Sequence, residues 1–240
     1  MINTNMICEK TNTDARSHRT AASVKRITSA ELPTEFGAFR IIGYRSRTSD
    51  EEFIVLTFGT VAGPEPILAR IHSQCLTGDV FGSVKCDCGR QLHAAQRAIA
   101  DEGRGVIIYQ QQEGRGIGIM NKIRAYSLQD GGADTVEANV RLGLPVDMRR
   151  YEQCGEILHD LGIEKVRLIS NNPQKVAGLE AAGIEVTERV AASVEFNHNF
   201  AGYLRTKHEK MGHYISPAEE MSWNRKAMRC ASFPRSKTAE

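Results

Sequence analysis

The residues best suited to chemistry are three cysteines within one short stretch: Cys75, Cys86 and Cys88, spaced C-x10-C-x-C. Thiolates are soft ligands that hold Zn2+ strongly. Cys86 and Cys88 are two residues apart, so an extended segment turns both sulfurs to one side. Cys75 can return to that side from the far end of a loop. Three protein ligands leave one tetrahedral position for water, the arrangement of a catalytic zinc, whereas a structural zinc takes four. No second cysteine knuckle follows, but His72 or His93 could close the site. Catalytic zinc, structural zinc and ordinary buried thiols are the three readings that spacing leaves open.

Two other stretches are suited to anions. Glu113-Gly-Arg115-Gly-Ile-Gly118 leaves an apolar run and enters a helical pattern. Glycines let backbone N–H groups approach an anion, and the following helix N-terminus favours negative charge. Arg115 adds a two-pronged donor; a plain tight turn is the alternative. Lys122 and Arg124 follow within two turns and strengthen the anion reading, with solvated surface the alternative for each. In Ser170-Asn-Asn-Pro-Gln-Lys175, Pro173 suits the first helical position and Lys175 falls in the first turn. A lysine there opposes the helix dipole, a cost that an anionic ligand would relieve. Asp147 and Arg149, two apart after Pro145, can face one cleft or lie on a solvated loop. Tyr126 reads by default as a core tyrosine in mid-helix.

The elements that must position these groups show in the hydrophobic pattern. Three runs, 36–44, 52–58 and 66–72, are short, β-branched and aromatic, and suggest an antiparallel meander leading into the cysteines. Residues 89–101 carry an apolar stripe at helical spacing, ended by Gly103 and Gly105. Val106–Tyr109 suits a central strand. Helices are then expected over 119–129, from the capping box at Asp134 to Leu142, over 151–161, and from Asn171-Asn-Pro173 to Gly183. Strands are expected over 166–170 and 184–190. Alternating strands and helices give an α/β fold: a mixed β-sheet flanked by helices, with an N-terminal antiparallel β meander. Residues 191–215 show no clear pattern.

The chain has 240 residues, 41% of them hydrophobic, and a net charge of +2. That suffices for a substantial core and gives no basic footprint for nucleic acid. No apolar stretch approaches a membrane span. The six cysteines lack disulfide-rich spacing and no signal peptide is visible, so a reducing, cytoplasmic setting is expected. Residues 1–30 read as a polar, disordered tail dispensable to activity, 31–215 as the catalytic domain, and 216–240 as a flexible tail.

Taken together, these strings resemble GTP cyclohydrolase II. The similarity rests on Arg70-Ile-His-Ser-Gln-Cys-Leu-Thr-Gly-Asp79, Cys86-Asp-Cys-Gly-Arg-Gln-Leu92, Gln112-Glu-Gly-Arg-Gly-Ile-Gly118 and Asn121-Lys-Ile-Arg-Ala-Tyr126. It continues through Gln129-Asp to Asp134-Thr-Val-Glu-Ala-Asn139, Asn171-Asn-Pro-Gln-Lys175 and Lys207-His-Glu-Lys-Met-Gly-His213, in order from about Leu32 to Ile215. The resemblance implies opening of the imidazole ring of GTP in the first step of riboflavin synthesis. Formate and pyrophosphate leave, with a diaminopyrimidine ribosyl phosphate as product. It further implies one Zn2+ per subunit on Cys75, Cys86 and Cys88, Mg2+ with the triphosphate, and a homodimer. Arg70, Ile71, His72, Ser73, Gln74, Gln91, Glu113, Gly114, Arg115, Thr135, Ser170 and Lys175 would bind GTP. Asp147 would be a proton acceptor, Arg149 a nucleophile toward the α-phosphate and Tyr126 an aid to hydrolysis. A guanidinium is effectively always protonated, so a clamp on the phosphates is the equal alternative for Arg149. The chain departs from the family pattern at Gln74, at Gln110-Gln111, where a positive side chain is usual, and at Ser170 in place of threonine. A lost cation at 111 would weaken nucleotide affinity. The rival outcomes are an enzyme that retains the formyl group or feeds another pathway, and a non-catalytic zinc- and GTP-binding module.

Overall fold

The computed structural model describes residues 22–132, 134–192, 194 and 201–215, without the side chains of Thr135 and Ala201. β1 (Val24–Thr34), β2 (Gly37–Ser46) and β3 (Glu52–Phe58) form an antiparallel meander. β4 (Ile67–Ser73), β5 (Gly105–Gln110), β6 (Lys165–Ile169) and β7 (Glu185–Val190) are mutually parallel, and β5 runs antiparallel to β3. The seven strands make one mixed sheet in the order β1-β2-β3-β5-β4-β6-β7. The helices are α1 (Leu76–Asp79), α2 (Cys88–Glu102), α3 (Ile119–Asp130), α4 (Thr135–Arg141), α5 (Glu152–Asp160), α6 (Pro173–Ala181) and α7 (Ala201–Met211).

Two expectations are corrected. The run over 66–72 is a strand, β4, but does not continue the meander: β5 inserts between it and β3. Pairing β4 parallel to β5 requires the crossover that α2 supplies. The tail expected over 1–30 gives up residues 24–30 to β1. Its polar composition is that of an edge strand, with Val24 buried and most of the other side chains in solvent. Ser23 also bonds the Glu156 carboxylate through N and Oγ at 2.6 and 2.8 Å, so a cut at residue 28 would remove structure.

Alternation along the strands divides the core between two faces. Ala69, Ile71, Val106 and Ile108 pack on one face with Ile157, Leu158 and Leu179 of α5 and α6. Leu68 and Ile107 pack on the other with Ala95 and Ile99 of α2. Each such side chain contributes about 1.5–3 kcal/mol by leaving water. Arg70 and His72 share the α2 face of β4 and lie at its C-terminal end. From β4 the chain moves to one side to form β5, then crosses back to form β6. The sheet therefore has its switch point at β4, and the crevice beyond the carboxyl ends of β4, β5 and β6 is where such sheets place ligands.

Candidate active site

Cys75 precedes the single turn α1, Cys86 lies in the following loop, and Cys88 opens α2. The segment 86–88 is thus a loop entering a helix, not the extended strand that the spacing suggested. The sulfurs converge all the same: the three lie within 4.8 Å of one another, with Cys75 Sγ and Cys86 Sγ 3.6 Å apart. Asp79 holds the turn. Its buried carboxylate accepts the Cys75 N–H at 2.9 Å and the Tyr109 hydroxyl at 2.9 Å, and lies 3.0 Å from His72 Nε2. Behind the sulfurs is Gly78. A Cβ there would stand 2.9 Å from Cys86 Sγ and 3.2 Å from Cys75 Sγ. Gly89 in turn packs on the Gly78 carbonyl, where a Cβ would come to 2.2 Å. The two glycines let α1 and α2 approach closely enough for the sulfurs to meet.

Hydrogen bonds from the other two thiols, with the Lys122 ammonium, hold Cys75 far below the ordinary thiol range. Its hydrogen bond and burial push Cys86 up to about 11, and Cys88 is raised well above its usual value by the same pair of effects. Deprotonating all three sulfurs needs a cation between them, so the trio fits a divalent metal. Among the described residues, this trio alone forms a cluster of metal-ligating side chains. His72 is committed to Asp79, and His93 lies against Phe36 with ring centroids 5.5 Å apart. Neither closes the trio.

Of the two readings of Lys122, solvated surface fails: the side chain is mostly buried. Its Nζ lies 3.0 Å from Cys75 Sγ and 2.7 Å from Glu113 Oε1. Burial alone would lower its pKa, but the Cys75 thiolate and Glu113 more than offset it and keep the amine charged. Glu113 also accepts the Leu76 and Gly114 N–H groups at 2.6 and 3.0 Å. It ties the glycine loop to the cysteine turn.

Two adjoining cavities open here. One, of about 520 Å3, is lined by Cys75, Cys86, Gln74, Gly114, Lys122 and Tyr126. That volume suits a nucleoside-sized ligand. The Tyr126 hydroxyl lies 3.2 Å from that of Thr77, and burial raises its pKa, so it remains a donor near neutral pH. The second, about 70 Å3, is lined by Arg70, His72, Lys175, Ser170, Lys207 and His213. Ser73, Cys88, Arg115, Arg149 and Tyr203 border both.

The smaller cavity carries the electrostatic signature. Arg70 Nε, His72 Nδ1, both terminal nitrogens of Arg115, and His213 Nε2 are buried without a hydrogen-bond partner, and all four residues line it. Unpaired buried donors such as those of Arg70 and Arg115 cost about 1–3 kcal/mol each, so the lining of this cavity suits an anion. Lys175, in the first turn of α6, is buried and donates to the Ile71 carbonyl at 2.7 Å. Burial, with Arg70 and Arg149 close by, holds its amine well below the usual lysine range. An anion would favour its charged form. The Asn172 side chain caps α6, its Oδ1 accepting the Gln174 N–H, with Pro173 at the first position.

Arg70 is fixed by Ile169 O at 3.0 Å and Gln91 Oε1 at 2.7 Å. The Gln91 amide passes on to Asp87 at 2.6 Å, and Asp87 receives Lys207 at 2.9 Å. Gln91 therefore orients a cation. Asp147 and Arg149 face one another in a two-pronged pair at 2.9 and 2.5 Å. Burial opposes the guanidinium charge, but the Asp147 hydrogen bonds outweigh it and raise the Arg149 pKa. Burial would raise Asp147; its bonds from Arg149 bring it below the usual carboxylate range. Arg115 has φ of 65°, in the left-handed region, and its carbonyl receives Met148 N at 3.0 Å. Backbone strain is spent there on aiming a side chain.

Most residues named from the sequence therefore meet around these cavities. Ile71 does not: its side chain packs in the core on the opposite face, and only its carbonyl serves, on Lys175. Gln111 is exposed and borders neither cavity, so the missing cation there does not bear on them. Gln110 is buried and bonded to Ser73 at 2.7 Å. Thr135 opens α4 behind the Asp134 capping box, with its side chain outside the described residues. Sequence reasoning missed Asp79, Tyr203, Lys207 and His213; the last two open and close the terminal string without a role attached to them.

A family model described as GTP cyclohydrolase II matches residues 25–191. The GTP cyclohydrolase-2 of Pasteurella multocida is 56% identical over 195 residues, 81% of this chain and 89% of that protein. That of Actinobacillus succinogenes is 53% identical over 194 residues, again 81% and 89%. The riboflavin biosynthesis protein RibBA of Bacillus cytotoxicus is 54% identical over 185 residues, 77% of this chain but 47% of that longer protein.

Proposed function

Because this chain belongs to the GTP cyclohydrolase II family, hydrolases of the first step of riboflavin biosynthesis, we propose that it opens the imidazole ring of GTP at C8 and releases formate and pyrophosphate. The observation that carries the reading is the juxtaposition of a three-sulfur metal pocket with a cavity whose unpaired buried donors call for an anion. Cys75, Cys86 and Cys88 would hold Zn2+, which supplies Lewis acidity and water activated near neutral pH.

The chain's own residues divide the remaining work. The larger cavity takes the nucleoside, with Tyr126 donating to the formyl oxygen, which gains charge when a second water attacks the ring-opened carbon and formate leaves. Arg70, Arg115, Arg149 and Lys175 receive the triphosphate, accompanied by Mg2+. Arg149 acts as a clamp: a guanidinium held by a carboxylate has no free lone pair with which to attack phosphorus. Asp147 holds that clamp in place. The catalytic unit runs from β1 through Ile215, and we place it in the cytoplasm; among the described residues no helix is long and apolar enough to cross a membrane. A homodimer is proposed with it. Phe81 and Val84 on the cysteine loop and Met120 and Ile123 on α3 are exposed and offer apolar surface for such a contact.

Incubating the zinc-loaded protein with GTP and weighing every product tests the reading. Free formate, pyrophosphate and the deformylated pyrimidine are expected. A product heavier by one carbonyl, or intact GTP, would contradict it.

Arg115 gives a second test. Asparagine tolerates the left-handed backbone that costs arginine about 1 kcal/mol. Arg115→Asn should leave the melting temperature unchanged or higher while KM for GTP rises roughly a hundredfold, the worth of two charged hydrogen bonds. A lower melting point with unchanged KM would assign the residue to folding alone.

A further inference from the structure

We infer that His213 is a phosphate-binding residue of the smaller cavity, offering its ring Nε2 to a phosphate oxygen. The inference rests on the GTP reading above and adds to it a residue from beyond α7. His213 Nε2 is buried and bonded to nothing. The ring lines the same cavity as Arg70, Arg115, Arg149 and Lys175. The segment that carries it is held firmly. Gly212 turns the chain at φ of 66°, and His213 N donates to the Lys207 carbonyl at 3.1 Å. The His213 carbonyl lies 2.8 Å from His208 Nδ1, and Tyr214 N donates to the Asn171 carbonyl at 2.9 Å. Arg189 stacks on the Tyr214 ring at 4.4 Å, and Lys207 ties α7 to Asp87. A ring carried on so fixed a main chain, with a nitrogen left unpaired among cations, is placed for an anion.

The charge balance agrees. Burial, then Lys207, Arg149, Lys175 and Arg115, disfavours protonation of the imidazole. A bound polyphosphate offsets those cations and accepts the ring N–H. His213 thereby supplies a directional donor where the arginines and lysines supply charge. We assign it to substrate positioning, with the effect expected in binding more than in turnover.

The test is calorimetric titration of inorganic pyrophosphate, without nucleotide, into the zinc-loaded full chain. His213→Phe keeps the ring volume and removes the nitrogen. It should weaken pyrophosphate binding about tenfold or more and raise KM for GTP by a similar factor, with kcat moved less. Zinc content and melting temperature should stay at wild-type values. His213→Gln, which restores an N–H donor, should recover part of the loss. Wild-type pyrophosphate affinity in His213→Phe would overturn the assignment. Should that variant not fold, a crystal structure of the wild-type enzyme with pyrophosphate decides: Nε2 beyond hydrogen-bond reach of every phosphate oxygen would overturn it equally. If wild-type protein leaves GTP intact yet pyrophosphate binding still depends on His213, the GTP reading fails and the anion site stands.

Discussion

Cys86→Ser should bind no zinc at micromolar concentrations and release formate from GTP at least about a thousandfold more slowly than wild type, since a catalytic metal supplies several kcal/mol and each tenfold costs about 1.4. The reason lies in the ligand set. Only three sulfurs converge, and no histidine or carboxylate among the described residues stands ready to replace one. A serine hydroxyl is a poor zinc ligand and resists deprotonation far more than a thiol. Fold should survive, because Cys86 lies in a loop between α1 and α2 and contributes little to either core. Circular dichroism with a metal assay checks both halves. Wild-type formate release from metal-free variant protein would remove the metal from the mechanism.

The second large effect is expected at Arg149. Arg149→Met should lower kcat/KM for GTP by about a thousandfold or more, the range seen for arginines that stabilise phosphoryl transfer. The substitution also strands Asp147, whose side chain is only 10% exposed. That carboxylate will take up a proton, so its pKa must rise from its present lowered position. Arg149→Lys keeps a charge but cannot hold Asp147 and a phosphate oxygen with one planar fork, and should recover only part of the activity. Mass spectra of wild-type enzyme quenched during turnover separate clamp from nucleophile. The clamp predicts unmodified protein. A nucleotidyl adduct on Arg149 would show that the guanidinium attacks.

What was legible in the sequence was local. The capping box at Asp134, the Asn172-Pro173 helix start and the stripe on α2 depend on neighbours in the chain, and each forms as its residues suggest. The cysteine trio was legible because soft ligands are rare and their spacing is short. Non-local pairing was not legible. Nothing in Pro66–His72 says that a strand formed more than 30 residues later will slip between it and β3. Lys122 could pass for helix surface because its partners, Cys75 and Glu113, arrive from other elements. β1 looked like a tail because an edge strand exposes most of its side chains. α7 gave little signal because it turns polar groups, Lys207 among them, toward the smaller cavity and packs only a small apolar cluster around Leu204.

The two cavities explain why so many buried cations are tolerated together. Arg70 and Arg149 disfavour the charge on Lys175, and Arg149 that on Arg70, while each of the three is held by hydrogen bonds to main chain or carboxylate. A multiply charged anion, as proposed for this site, would offset that repulsion. Substrate binding should therefore stabilise the fold as well as fill the site.

X-ray absorption at the zinc edge of the purified, metal-loaded protein examines the metal centre directly. Three sulfurs at about 2.3 Å and one light atom, replaced or shifted when GTP is added, are the expected shell. A fourth protein ligand that persists with substrate, or sulfurs too few to account for Cys75, Cys86 and Cys88, would contradict the catalytic site described here.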